Sequence, residues 1–305
     1  MENYVIFSEW HFSIQIMNYI NKLLLGTVQF GLNYGINNSI GQPDKEVVFD
    51  ILSYAFENGI KYLDTAELYG NSHELIGEFH KLFPTKKFNV ITKFPHVIED
   101  RLDNKINSYL NQLNIDQLEA ILFHSFDSYV NYRSNLTNLI KLKNKSIKYI
   151  GVSVYTNEQM IEVIDDINID IIQIPFNLFD NLNLRGELIT KAKLKNKIIH
   201  SRSAFLQGLF FMKNNTNNLV RINLENEFKI LDKIVLKSSF PIGSLALNYC
   251  LAQTNIDNVL IGVDSLSQLK ENILFANNKI PKKYLDEINR IRIKKIDLLN
   301  PTLWN

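Results

Sequence analysis

The chain has 305 residues, of which 46% are hydrophobic and 21% charged, and 33 basic against 32 acidic residues leave a formal net charge of +1 at pH 7. Such a balance excludes a disordered or strongly polarised chain and leaves no basic footprint for nucleic acid; the pairs Lys86-Lys87, Lys282-Lys283 and Lys294-Lys295 read as solvated surface. The single cysteine, Cys250, can close no internal disulfide, and the six histidines lack a Cys/His ligand spacing, so no metal is expected and a cytoplasmic setting is.

From the N-terminus, Met1 to Asn21 is apolar in places, but Glu2, Glu9 and His11 interrupt it, so neither an export signal nor a membrane span is read there. Residues 1–20 are expected to be a poorly ordered extension or, with Met17 just before the first strand, a mis-assigned start. Residues 21–305 then form a single domain. Runs rich in branched apolar residues predict strands at Leu23–Thr27, Tyr62–Asp64, Asn89–Lys93, Ala120–His124, Tyr149–Val154, Ile171–Pro175, Ile198–Arg202 and Asn258–Gly262. Helical periodicity separates them at Lys45–Asn58, Ser72–Leu82, Ile98–Leu113, Asn157–Asp166, Leu182–Leu194 and Glu225–Lys237. Asn58-Gly59 offers a helix stop and Thr156-Asn157 a start. Lys213 to Asn218 reads as a polar loop, and Tyr284–Leu298 as a terminal helix outside the domain.

Strand–helix alternation of this kind builds either a closed (β/α)8 barrel, commonly about 250 residues, or an open doubly wound sheet. None of the twelve glycines forms a Gly-x-Gly-x-x-Gly turn after the first strand, which weighs against the open sheet.

Four polar groups stand at or just beyond three successive strand ends: Asp64 and Tyr69, Lys93, and His124. In a barrel those ends share one pocket. Alone, each has a structural explanation: a loop cap, a packed ring, a solvated amine, a core imidazole. Together they assemble an acid. Tyrosine, with an unperturbed pKa of about 10, gives up its proton more readily beside an ammonium such as Lys93. Asp64 would hold Lys93 by an ion pair, and neutral His124 would hydrogen-bond to a carbonyl oxygen. Phe30 and Tyr34, in the glycine- and aromatic-rich stretch Gly26 to Ile36, either fill a turn or wall the pocket with flat surfaces for a sugar or aromatic ring.

These residues resemble the aldo-keto reductase superfamily. Tyr62 to Ser72, with Glu74 and Gly77, is similar to its most distinctive motif. Ile91-Thr92-Lys93 and Leu122-Phe123-His124 are similar to the segments carrying its lysine and histidine, in matching order from about Leu23 to Asn277. The resemblance implies the barrel, NAD(P)H-dependent carbonyl reduction and the tetrad Asp64, Tyr69, Lys93 and His124. It also implies cofactor contacts: Gly26 and Thr27 near the nicotinamide ribose, Ser153 and Gln173 at the carboxamide, Ser203 to Leu209 including Gln207 beside the pyrophosphate, and Gly262, Ser265, Glu271 and Asn272 towards the adenine.

Three positions depart from the family pattern. Val154 replaces an asparagine at the carboxamide. Arg202 stands where a tyrosine often stacks on the nicotinamide, so its guanidinium is expected to stack or to meet an anion. Gln268 stands where an arginine often holds the 2′-phosphate, which weakens NADP preference. NADP(H) is still expected slightly ahead of NAD(H), with a small-molecule carbonyl substrate in an open pocket. The stretch after the first strand is similar to enzymes of surface-polysaccharide and sugar modification, which points to a sugar or keto-sugar. Competing readings are a low-turnover cofactor-binding regulator and a sugar isomerase or epimerase, although the latter would want a second acid–base pair or metal-ligand carboxylates. Oligomeric state is not legible.

Overall fold

The structure is a computed structural model that describes residues 19–36, 38, 41–212 and 218–304. Of the expected extension at 1–20, therefore, residues 1–18 lie outside the described residues. Ile20 packs into the core.

Eight parallel strands close into a barrel in sequence order: β1 (Leu23–Gly26), β2 (Tyr62–Asp64), β3 (Asn89–Phe94), β4 (Leu118–Phe123), β5 (Ile147–Ser153), β6 (Ile171–Pro175), β7 (Ile198–Arg202) and β8 (Asn258–Gly262). Closure comes from β8 pairing with β1, with Gly26 opposite Gly262. The expected (β/α)8 barrel is the observed fold. Each crossover carries at least one helix, packed outside as a right-handed β–α–β connection demands.

The strands bury side chains on both faces, which is why they read as nearly continuous apolar runs. Outward-facing residues join the helices in one large core, and a small inner cluster of Leu24, Ile91, Ala120, Leu122 and Ile171 fills the barrel. Two residues further along the strands, in the same inward phase, the chemistry changes: Leu24 leads to Gly26, Tyr62 to Asp64, Ile91 to Lys93, Leu122 to His124, Ile171 to Gln173 and Ile198 to His200. An apolar floor thus carries a polar layer at the carboxyl ends of the strands. Gly151 shows how tightly the interior is filled, because a Cβ there would lie 2.8 Å from the Ile171 carbonyl oxygen and 2.9 Å from Leu122 Cγ.

Some elements differ from expectation. The terminal helix is short, Lys282–Ile288, and the chain then takes 3-10 turns at Ile296–Leu299 and Pro301–Leu303. The helix expected from Ile98 begins at Leu102. The longest helices without a predicted counterpart are Ile242–Leu251 and Leu266–Ala276. Every residue from Gly243 to Leu251 is buried, so that helix has no polar face to give a helical period. Asn218 accepts a hydrogen bond from Arg221 N at the start of a short helix, and residues 213–217 of the expected polar loop lie outside the described residues.

Candidate active site

A cavity of about 690 Å³ opens at the carboxyl ends of the strands, a size typical of cofactor and ligand sites. Asp64, Tyr69, Lys93 and His124 all line it.

Tyr69 is placed by backbone packing. After β2, Thr65 N donates to Ile91 O and Glu67 N to Lys93 O, tying the loop to β3 at 2.8 and 3.2 Å. Gly70 then takes a left-handed φ of 54°, and a Cβ on it would lie 2.3 Å from the Gly31 carbonyl oxygen. Gly31 in turn lies so close to the Tyr69 carbonyl that a Cβ would reach 1.8 Å. Only glycine fits both places, and that contact sets the turn that presents Tyr69. A buried hydroxyl chain supports it, with Ser72 Oγ donating to Thr27 Oγ1 at 2.8 Å and Thr27 Oγ1 to Asp64 O at 3.3 Å.

Lys93 is 2% exposed and forms a buried ion pair with Asp64, its Nζ also donating to Thr65 O at 2.9 Å. The other carboxylate oxygen of Asp64 accepts from Gln173 Nε2 at 2.8 Å. Burial lowers the Lys93 pKa, and Asp64 opposes that shift. The lysine ammonium sits 5.2 Å from the centre of the Tyr69 ring.

Tyr69 is half-buried at the cavity wall, and desolvation followed by the Asp64 charge pushes its pKa far above the ordinary tyrosine value; Arg202 pulls in the opposite direction. The sequence assigned an acidifying influence to Lys93, whose ammonium is paired with Asp64. Burial, then Lys93, His96 and Arg202, lower the His124 pKa to about 3, so its imidazole is neutral near pH 7, as the proposed carbonyl contact requires. Its ring meets Tyr69 edge-on at 5.7 Å and stacks on His96 at 5.3 Å. The buried Nδ1 of His124 has no hydrogen-bond partner among the described residues.

Arg202 forms no ion pair among the described residues. Its guanidinium donates to Ser153 Oγ, Ser203 Oγ and Val154 O at 3.4, 3.3 and 3.2 Å and lies over the Tyr155 ring at 3.9 Å. Tyr155, which the sequence reading missed, stays in the inward phase of Tyr149, Gly151 and Ser153. A buried pair supports it from below: Arg185 binds Asp180 at 2.6 Å and donates to Tyr155 O at 2.7 Å.

Most of the predicted cofactor residues line the same cavity: Gly26, Thr27, Ser153, Gln173, Arg202, Ser203, Gln207, Gly262, Gln268, Glu271 and Asn272. Ser265 does not; its hydroxyl caps the helix Leu266–Ala276 by accepting from Gln268 N. Tyr34 lines the cavity and accepts from Gln207 Nε2 at 2.8 Å, linking the loops after β1 and β7. Phe30 does not line it. Its ring is fully buried in the outer core, so the expected pocket wall there is corrected to a packing residue. The pocket is also less open than expected, because Pro301 and Thr302 of the tail return to line it. Ser203, Leu206 and Gln207 hold φ of 62°, 47° and 52° in the loop after β7, a concentration of left-handed backbone typical of binding loops.

The aldo/keto reductase family profile matches residues 22–293. The chain belongs to the aldo/keto reductase family. Among relatives of this reductase, the NADH-specific methylglyoxal reductase of Escherichia coli K12 is 22% identical over 299 residues, covering 85% of this chain and 90% of the relative. The L-galactose dehydrogenase of Arabidopsis thaliana is 25% identical over 238 residues, covering 72% and 74% respectively. An aldo-keto reductase from Bacillus halodurans, solved in its holo form, superposes with a TM-score of 0.73 at 21% identity, covering 89% of this chain and 92% of that one, and so shares the fold.

The family uses nicotinamide cofactors. This reductase's cavity suits one on its own evidence: Gln29 lines it and carries a buried side-chain oxygen with no partner among the described residues. Among the described residues no group of three or more His, Cys, Asp or Glu could hold a metal ion, and no single helix is long and apolar enough to cross a membrane.

Proposed function

We propose that this enzyme catalyses the reversible nicotinamide-dependent reduction of an aldehyde or ketone to an alcohol, with Tyr69 giving a proton to the carbonyl oxygen. The observation that carries this reading is the convergence of Asp64, Tyr69, Lys93 and His124, from three successive strands, on one cavity.

The bound dinucleotide supplies the hydride. This chain's residues do the rest. Desolvation keeps the Tyr69 phenol protonated, so it is a donor until an oxygen of alkoxide-like basicity develops beside it. The charge of Arg202 then favours the phenolate left behind. Neutral His124 carries one N–H, which can hydrogen-bond to the same oxygen without competing as the acid. Asp64 fixes Lys93, and Gln173 fixes Asp64, so these groups need little reorganisation during the reaction.

A small hydroxylated or dicarbonyl substrate, such as an aldose, a keto-sugar or a 2-oxoaldehyde, fits the named activities of the relatives and a cavity edged by Tyr34 and Tyr155. The test is consumption of NADH and NADPH in the presence of methylglyoxal, aldoses, keto-sugars, simple aldehydes and pyridoxal. Turnover with one of these classes is expected. A protein that binds the dinucleotide but oxidises it with none of them would contradict this function and favour a low-turnover regulatory role.

A further inference from the structure

Across the barrel from the tetrad the cavity changes character. The tetrad rises from β2, β3 and β4, and β8 faces β4 in a ring of eight. The cavity that holds Tyr69 reaches that far wall, where the chain leaves β8 through Asp264 and Ser265 into the helix Leu266–Ala276, so a dinucleotide whose reacting end meets Tyr69 has this wall within the same cavity for its adenosine.

At this helix start Asp264, Ser265 and Gln268 are hydrogen-bonded to one another. Asp264 N donates to Gln268 Oε1 at 2.8 Å, Gln268 Nε2 donates back to Asp264 Oδ2 at 3.3 Å, and Gln268 N donates to Ser265 Oγ at 3.3 Å. Gln268, the position expected to meet a 2′-phosphate, instead anchors a carboxylate that lines the cavity. Among the described residues the lysine and arginine that line the cavity are Lys93 and Arg202, both beside Tyr69. Lys270, close in sequence, lies over the Tyr54 ring at 5.2 Å and is not part of the wall.

On the reading that the cavity binds a nicotinamide dinucleotide, we propose that Asp264 selects NAD(H) over NADP(H). A carboxylate here accepts a hydrogen bond from a free ribose hydroxyl and repels a 2′-phosphate. The ordering expected from the sequence, NADP(H) ahead, is thereby reversed. Asp264 also carries its own signature, because burial already raises its carboxyl pKa and a phosphate beside it would raise it further. NADPH binding is accordingly expected to strengthen as pH falls, and NADH binding to change less.

The test is calorimetric titration of the full chain with NADH and with NADPH, for the native protein, Asp264→Asn and Asp264→Arg, with Tm confirming that each variant is folded. Native protein is expected to bind NADH at least about tenfold more tightly, a difference of about 1.4 kcal/mol. Asp264→Asn should narrow that ratio and Asp264→Arg should invert it. Native protein that binds NADPH as tightly as NADH, or a ratio unmoved by Asp264→Asn, would overturn the assignment of Asp264 while leaving the reductase reading intact. Failure of both dinucleotides to bind would overturn the reading of the cavity itself, and this assignment with it.

Discussion

Gln173, on β6, donates its side-chain amide to Asp64, on β2, at 2.8 Å across the interior of the barrel. Lys93 occupies the other oxygen of the same carboxylate, so Asp64 is satisfied from two directions in a site with almost no water access. Replacing Gln173 with Leu would leave one buried carboxylate oxygen without its donor, which typically costs ~1–3 kcal/mol. Urea unfolding of Gln173→Leu should show that loss, together with reduced turnover. Unchanged stability would mean that Asp64 does not depend on the amide.

Arg185 and Asp180 offer a second test, away from the chemistry. Both are buried, and Arg185 also donates to Tyr155 O, beneath the ring on which Arg202 lies. Removing one partner of a buried pair strands the other charge, at ~3–5 kcal/mol. Arg185→Met should therefore lower stability by that order, and Asp180→Asn combined with it should recover part of the loss. Denaturant unfolding of the single and double variants measures the difference, and a double variant no better than the single would argue against an electrostatic origin.

Imidazoles withdrawn from water make stability depend on pH: burial lowers the pKa of His73, His80, His124 and His200, the last two furthest. Burial is the largest cause lowering His124 to about 3 and His200 to about 4, both from an ordinary value of 6.5. The unfolded chain therefore takes up protons below about pH 6.5 that the folded chain refuses. The sign follows: the contribution of these groups is fully present above about pH 6.5 and falls away towards pH 4. His124→Asn should flatten that part of the profile without moving the neutral plateau in the same proportion. A native profile with no slope between about pH 4 and 6.5 would contradict the neutral state of these rings.

Arg202 is the charge that favours the phenolate form of Tyr69, and it forms no ion pair among the described residues. Arg202→Met should lower kcat, by about tenfold or more if the charge contributes at the ~1.4 kcal/mol scale, and shift the pH dependence of turnover. Arg202→Lys should restore part of the rate. Equal rates for the native and Met proteins would remove Arg202 from the chemistry.

The legible part of the site was the part written in strand periodicity. Asp64, Lys93 and His124 each follow an apolar residue of the barrel floor by two positions, so an ionisable residue ending an apolar run marks the polar layer. Tyr155 obeys the same period but lies beyond β5, where the run no longer signals it. The Asp64–Lys93 pair was legible, but other long-range relationships were not: that Gln173 donates to Asp64 and that Arg202 forms no ion pair among the described residues depends on which residues face each other across the barrel. Phe30 was misread because an aromatic beside glycines looks alike in a pocket wall and in a core. The helix Ile242–Leu251 was missed because burial on all sides erases amphipathic spacing, and the tail at Pro301 and Thr302 returns to the cavity by a path no local pattern encodes.

Tyr69→Phe tests the central claim most directly, because it removes the proton and keeps the ring. Single-turnover oxidation of bound reduced dinucleotide by an accepted carbonyl substrate should slow by about 10²-fold or more, with dinucleotide affinity and Tm close to native. A Phe variant that turns over at the native rate would contradict Tyr69 as the proton donor.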